Sequence, residues 1–225
     1  MMMNLFSIFD PSSSIASISW MCIMLTSILI PSKIWKCSPN MFLLTNKIII
    51  TLKKEISFTM VKSEKSSQLM ILSLFLMILS MNFLALYPQI FSPTSHMVVN
   101  LPMSLAFWLS LMMFGWMKNT SHMLSHLVPQ GTPTSLMMFM VVIEMISNLI
   151  RPITLCVRLT ANMIAGHLLM TLLGNSLMKI SLLMMPISIT VPIMLTLLES
   201  AVACVQAYVF MTLITLYMTE LKYWH

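Results

Sequence analysis

Five ionisable side chains lie within the two longest apolar stretches of the sequence, where a helix would be surrounded by lipid. These residues are Glu144, Arg151, Arg158, His167 and Glu199. A charge at mid-membrane costs roughly 2.5–3.5 kcal/mol on insertion scales, so such residues normally face a bundle interior or a water-filled path. Their presence therefore predicts an ion route through a membrane.

Three of these charges recur at a spacing of seven residues, which is close to two turns of an α-helix. Glu144, Arg151 and Arg158 therefore lie on nearly one helix face, and two amides flank that face, Asn148 and Asn162. The regular spacing indicates one polar stripe along an otherwise apolar helix.

The second apolar stretch repeats the spacing, because Glu199 and Gln206 are again seven residues apart. Four small residues surround them, which permits the close approach of another helix; they are Ala201, Ala203, Cys204 and Ala207. This stretch is therefore expected to pack tightly against a neighbouring helix.

Each charge also has a structural interpretation. Arg151 precedes a proline, so pairing with Glu144 or with carbonyls freed at a helix break explains it as well as a functional role does. His167, taken alone, fits a satisfied core histidine, whereas the apolar-rich segment that follows Glu199 disfavours a helix-end role for that acid. Arg158 has no acid three or four residues away, and its guanidinium stays charged at any accessible pH. An intrahelical salt bridge therefore cannot explain Arg158.

The composition requires lipid as a solvent. Of 225 residues, 58% are hydrophobic and 8% are charged, whereas about a quarter of the residues in a soluble domain are charged. The 28 methionines are spread through every apolar segment, which favours a coding bias over a methionine-rich binding surface. Because animal mitochondrial genomes read an isoleucine codon as Met, we expect organelle encoding. Consistently, residues 1–10 show no Arg-rich transit pattern.

We predict an all-α integral membrane protein, with one membrane domain over residues 1–225 and about five crossing helices of at least 20 residues. The crossing helices are expected at 12–31, 68–87, 98–117, 134–175 and 180–219. Residues 41–61 alternate apolar clusters with lysines, which is typical of an amphipathic helix on the membrane surface; a solvated linker is the alternative. Residues 118–133 are predicted to form a polar loop.

The last two segments are too long to cross a bilayer upright. At 1.5 Å per residue each helix would measure roughly 55–60 Å, against a hydrocarbon core of about 30 Å. A fold-back at Arg151-Pro152 would leave loose backbone in lipid, which is costly. We therefore predict two kinked, steeply tilted helices packed as a hairpin and supported by a protein neighbour.

The lysines predict the orientation. With five crossings, nearly all of them fall on one side of the membrane, and only Lys179 falls on the other. By the positive-inside rule the lysine-rich side is the matrix side. The N-terminus is then expected in the intermembrane space and the C-terminus in the matrix.

Several kinds of site are missing from the sequence. No Gly-rich phosphate loop occurs, so nucleotide binding is not expected. The lysine cluster is interrupted by apolar residues, which disfavours nucleic acid. The four cysteines form no CxxC pair, and His122 and His126 have no acid or cysteine nearby. We therefore expect neither a metal nor another cofactor.

Three segments carry a family resemblance. Residues 151–167 read RPITLCVRLTANMIAGH, residues 198–210 read LESAVACVQAYVF, and residues 126–133 read HLVPQGTP. All three closely resemble the a subunits of mitochondrial F-type ATP synthases. The similar length and span pattern extend over the whole chain, but the specificity lies in residues 126–217.

The resemblance implies a stator subunit of the Fo sector beside a rotating ring of c subunits, each with one carboxylate at mid-membrane. Two aqueous half-channels reach that carboxylate from opposite sides. Arg158 matches the essential arginine, His167 and Glu199 match the pair associated with proton access from the intermembrane space, and Glu144 matches the acid of the matrix exit. Asn162 and Gln206 match polar positions around the arginine.

The remaining expectations complete this assignment. Asn148 is assigned to the proton path, and Arg151 and Tyr208 to supporting roles. The expected partners are the c-ring, other Fo and peripheral-stalk subunits, and lipid of the inner mitochondrial membrane. The chain would be a non-nucleotide-binding subunit of the H⁺-transporting ATP synthase, without catalytic activity alone.

Physical reasoning agrees with the assignment of Arg158. A fixed cation favours the deprotonated form of a passing ring carboxylate, and the same charge repels a free proton, so the half-channels cannot short-circuit. The main alternative is a self-contained ion channel or secondary transporter, but the halves of the sequence show no similarity of the kind expected for inverted repeats. A purely structural membrane subunit would leave Arg158, Glu199 and Gln206 unexplained.

Overall fold

The regular structure of the described chain is helical. The computed structural model describes residues 9–11, 18–29, 39–59, 65–87, 90–118, 120–128, 136–177 and 185–222. The helices are α1 (Cys22–Leu29), α2 (Pro39–Thr59), α3 (Lys65–Ala85), α4 (Met97–Lys118), α5 (Thr120–His126), α6 (Met137–Leu177) and α7 (Met185–Lys222), with short 3-10 helices at Ile18–Met21 and Pro93–Ser95. No strand occurs within these ranges, so the all-α prediction is confirmed.

Four of the helices are long and apolar enough to cross a membrane: Ser66–Ala85, Met97–Lys118, Met137–Leu177 and Ile189–Thr219. They correspond to the last four of the five predicted crossings and confirm a multi-pass membrane protein. The first crossing, predicted at 12–31, is described only over residues 18–29, and its other residues lie outside the described ranges. A fifth crossing therefore stays a prediction.

Helices α6 and α7 form an antiparallel pair. They contain 41 and 38 residues, which makes α6 about 60 Å long. Contacts run in opposite chain order along the pair, because Gly166 lies against Glu199 and Arg151 lies against Tyr217. Pro152 is inside α6, where it removes one backbone hydrogen bond, yet the helix continues through it. The tilt of the pair in a bilayer stays a prediction.

The core lies where α3, α6 and α7 meet, with α2 closing one end. Its residues repeat every three or four positions along each helix, which places them on single faces. The cluster contains Leu52, Ile56, Ile71, Leu72, Leu74, Phe75, Ile78, Leu155, Leu159, Ala207, Phe210, Met211 and Ile214. Ala203 and Ala207 are buried, so these small side chains let α3 approach the α7 backbone closely.

Helix α2 has one buried apolar side and one exposed side that carries lysines. Leu52 and Ile56, four residues apart, are buried against the core, whereas Lys47, Lys53 and Lys54 are exposed. The helix predicted over 41–61 is therefore present with its apolar side on the bundle. Its position at a membrane surface stays a prediction.

The predicted loop 118–133 differs from the structure. Thr120–His126 forms the short helix α5, and residues 129–133 lie outside the described ranges. Nothing between Thr120 and His126 breaks a helix, since the first proline after this segment is Pro129. The polar composition suggested a loop, but polarity alone does not prevent helix formation.

Candidate functional site

Arg158 lies on the exposed side of α6. The buried residues of that helix are Pro152, Leu155, Cys156, Leu159, Thr160, Met163 and His167, and they define the opposite face. Arg158 is exposed, as are its neighbours Val157 and Ala161. Within the described part of the chain Arg158 forms no ion pair and no hydrogen bond. Its charge is therefore left without a partner by the residues that the structure describes.

Arg151 has an aromatic partner. Its guanidinium carbon lies 5.5 Å from the centre of the Tyr217 ring, a distance at which a cation is attracted to the face of an aromatic ring. Among the described residues it forms no ion pair with Glu144, which is half-buried one heptad earlier. This contact links α6 to the C-terminal part of α7 and favours a structural role for Arg151. Sequence reasoning did not identify Tyr217, because nothing local marks it.

Glu199 lies against a glycine of the neighbouring helix. Its Oε1 atom is 2.7 Å, and its Cδ atom 2.9 Å, from the position that a Cβ atom on residue 166 would occupy. Gly166 therefore leaves the space in which the carboxyl group sits. Oε1 is buried and has no hydrogen-bond partner, although the residue as a whole is half-buried.

His167 is buried between helices. It is 6% exposed, one of its ring nitrogens reaches the backbone of Ala85 on α3, and its ring makes a T-shaped contact with the Phe9 ring at 5.9 Å between centroids. Its Nε2 atom is buried without a partner. Among the described residues, therefore, only one of the two ring nitrogens has a partner.

Asn82 of α3 lies beside these residues, and sequence reasoning missed it. The side chain is fully buried, at 0% exposure. Its Nδ2 atom donates a hydrogen bond to the Ala203 carbonyl of α7 at 3.4 Å, and its Oδ1 atom is buried without a partner. The available signal was one amide near the end of an apolar crossing helix.

The remaining predicted residues form no hydrogen bond with Arg158. Asn148, Asn162 and Gln206 are half-buried, and Tyr208 is exposed. On α6, Asn162 falls one turn after Arg158 and one turn before Gly166. The structure thus brings Glu199 to the Gly166-His167 segment, with Asn162 between that segment and the arginine.

Comparison with known proteins gives one consistent family. A family model described as ATP synthase A chain matches residues 13–219. The chain is 49% identical to ATP synthase subunit a of Locusta migratoria over 223 residues, covering 98% of this chain and 99% of that protein. It is 51% identical to the Anopheles quadrimaculatus subunit over 227 residues (99% and 100%) and 48% identical to the Drosophila melanogaster subunit over 224 residues.

Proposed function

The chain belongs to the ATP synthase subunit a family, and on that premise we propose that it is the proton-translocating stator of the Fo sector. In this proposal the chain provides two half-channels and one essential arginine, which couple proton flow to rotation of a c-ring and so to ATP synthesis. It belongs to the H⁺-transporting ATP synthase complex, binds no nucleotide and has no catalytic activity alone.

The observation that carries the proposal is the exposed, unpaired guanidinium of Arg158 within an apolar helix. A charge in lipid is costly, and no described acid of this chain neutralises it. A carboxylate on a neighbouring subunit meets that need. At 4 Å and an effective dielectric constant of 20, the attraction is about 4 kcal/mol, enough to favour the ionised carboxylate as it passes.

The positions along α6 support two separate half-channels. Glu144 and His167 are 23 residues apart, or about 35 Å along the helix axis, so they lie far from each other even when the helix is steeply tilted. Arg158 lies between them. In the proposal, protons enter at His167 and Glu199 and leave at Glu144, with Asn162, Gln206 and Asn148 lining the paths. Moving one charge through 100 mV yields about 2.3 kcal/mol, the source of the torque.

The proposal also covers the partners and the membrane location of the chain. Its partners are the c-ring, whose subunits each carry an essential carboxylate, and other Fo and peripheral-stalk subunits. We place it in the inner mitochondrial membrane, with the N-terminus in the intermembrane space, the C-terminus in the matrix and its gene in the organelle. The amphipathic helix predicted over residues 41–61 would then lie at the matrix surface with its lysines toward phosphate headgroups.

Reconstitution distinguishes the stator proposal from the competing function, a self-contained channel or transporter. Liposomes that contain the purified chain alone should show no proton flux, and the same preparation should gain flux once a c-ring is incorporated. The gain shows that the chain was folded. Proton flux by the chain alone, at the rate of the complex, would contradict the stator proposal.

A further inference from the structure

Two histidines at one end of the bundle each meet a phenylalanine ring. His167 of α6 makes a T-shaped contact with Phe9, at 5.9 Å between centroids and 88° between planes, and His96 is stacked on Phe91 at 5.1 Å and 25°. Both pairs lie where α3 ends and α4 begins, since His167 reaches Ala85 and His96 directly precedes α4. The proposed proton path uses only His167, which leaves Phe9 without an assigned role.

The contact with Ala85 determines which nitrogen of His167 can accept a proton. Nε2 is buried without a partner among the described residues, so the nitrogen that reaches the Ala85 backbone is Nδ1. Ala85 is the last residue of α3, and the carbonyl of a last residue has no partner within its own helix. Nδ1 therefore donates its hydrogen to that carbonyl, which leaves Nε2 as the acceptor nitrogen of the neutral imidazole.

One hydrogen bond does not fix the orientation of the His167 ring. With Nδ1 held at Ala85, the ring can still turn about that contact, and Nε2 turns with it. The Phe9 ring lies at 88° to the plane of the imidazole, an edge-to-face arrangement that aromatic pairs prefer. This contact restrains the plane of the imidazole and hence the direction in which Nε2 points.

The segment that carries Phe9 is itself anchored to the bundle. The Ser19 hydroxyl donates a hydrogen bond of 2.9 Å to the carbonyl of Pro11, two residues after Phe9. The next residue, Trp20, makes a T-shaped contact with Phe91 at 5.5 Å between centroids. The position of Phe9 is therefore supported by contacts of its own segment and does not depend on the His167 ring alone.

We propose that Phe9 is a positioning residue of the proton-access site, whose ring keeps Nε2 of His167 directed into the bundle and covers the imidazole on the side of the intermembrane space. His167 is 6% exposed and its Nε2 atom is buried, as such a cover requires. Phe9 belongs to the N-terminal segment, which the proposed orientation places on that side. It carries no ionisable group and so takes no part in proton transfer itself. This inference rests on the proposed function and adds the N-terminal segment to the access site.

The first test measures ATP-driven proton pumping in liposomes that contain the assembled ATP synthase, normalised to the amount of complex. Phe9→Leu keeps an apolar side chain but removes the ring, and we expect pumping to fall by about threefold or more. Phe9→Tyr keeps the ring and should retain most of the wild-type rate. Wild-type pumping by Phe9→Leu, or equal losses in Phe9→Leu and Phe9→Tyr, would overturn the inference.

Phe91→Leu is the matched control. Phe91 is half-buried, as Phe9 is, and it packs against a histidine at the same end of the bundle. That histidine is His96, which has no place in the proposed proton path. Phe91→Leu should therefore pump at the wild-type rate per assembled complex. A loss as large as that of Phe9→Leu would assign both rings to general packing and would overturn the inference.

A chemical measurement tests the same contact without proton transport. Diethyl pyrocarbonate modifies the unprotonated nitrogen of an accessible imidazole, and peptide mass spectrometry gives the rate at each histidine. In the wild-type complex His167, at 6% exposure, should react about tenfold or more slowly than free N-acetylhistidine. Phe9→Leu should raise the rate at His167 about fivefold and leave the rate at His96 unchanged. Rapid modification of His167 in wild type, an unchanged rate at His167 in Phe9→Leu, or equal increases at both histidines, would overturn the inference.

A second variant serves if Phe9→Leu does not assemble. Phe9→Met has a flexible apolar side chain that adapts to the space of the ring, and it replaces Phe9→Leu in both measurements with the same expected results. The protection of His167 in the wild-type complex needs no variant at all. Pumping by wild type, measured in parallel, tests the proposed function separately, because the modification rates do not depend on proton transport.

Discussion

Replacing Gly166 with alanine should displace the Glu199 carboxyl group while leaving the fold intact. The added Cβ atom would lie 2.7 Å from Oε1, whereas ordinary contacts begin at 3.4 Å, so the oxygen must move by about 0.7 Å. The atoms that must move belong to the end of a flexible side chain rather than to backbone. Because alanine also favours a helix over glycine by roughly 0.5–1 kcal/mol, assembly should be unaffected.

The expected effect is therefore on transport. A misplacement of about 1 Å at a reacting group can cost on the order of 100-fold in rate, so we expect Gly166→Ala to lower proton pumping by roughly 10- to 100-fold. The assay is ATP-driven acidification of liposomes that contain the assembled complex, together with the amount of complex by native electrophoresis. A loss of pumping with a normal amount of complex is the predicted result.

Gly174→Ala is the matched control, because Gly174 is in the same helix and a Cβ atom there would meet nothing within 4 Å. Shortening the acid by one methylene removes the conflict, so Gly166→Ala combined with Glu199→Asp should lose no more activity than Glu199→Asp alone. If Gly166→Ala pumps as well as Gly174→Ala, the close contact of Gly166 with Glu199 does not position the carboxyl group, and the reasoning fails.

Two further predictions concern the other end of α6. Tyr217→Leu removes the ring beside the Arg151 guanidinium and should lower the free energy of unfolding by about 0.5–2 kcal/mol, measured by thermal unfolding of the complex. Tyr217→Phe keeps an aromatic ring and should retain most of this stability. Equal losses in both variants would exclude the cation–aromatic contact as the cause. Glu144→Gln should slow proton transport while ATP hydrolysis stays coupled to pumping. Hydrolysis without any pumping in that variant would instead place Glu144 in the barrier.

Local patterns were sufficient to predict four long apolar helices and the polar stripe of α6. A run of apolar residues and a spacing of seven are properties of one segment, so Arg158, Glu144 and the length of α6 could be identified without knowing any tertiary contact. The lack of an intrahelical ion pair at Arg158 was also predicted, because no acid lies three or four residues away. Its partner, by the same reasoning, had to come from elsewhere.

Contacts between distant segments could not be predicted in the same way. The structural interpretation of Arg151 considered Glu144 or freed carbonyls as partners, whereas the guanidinium lies over Tyr217, 66 positions later in the chain. Asn82 donates a hydrogen bond to the Ala203 carbonyl, 121 positions later in the chain. The close contact between Gly166 and Glu199 likewise forms only because α7 packs beside α6. Each of these depends on the register between antiparallel helices, which periodicity within one helix does not specify.

The most direct test of the central claim is proton pumping by the Arg158→Lys complex. Lysine keeps a positive charge in water, but it can lose its proton when buried and lacks the planar guanidinium that binds a carboxylate through two hydrogen bonds. We predict that the variant assembles in normal amounts and that ATP-driven proton pumping is abolished. Pumping at the wild-type rate by an assembled Arg158→Lys complex would contradict the role of Arg158 as the fixed charge between the two half-channels.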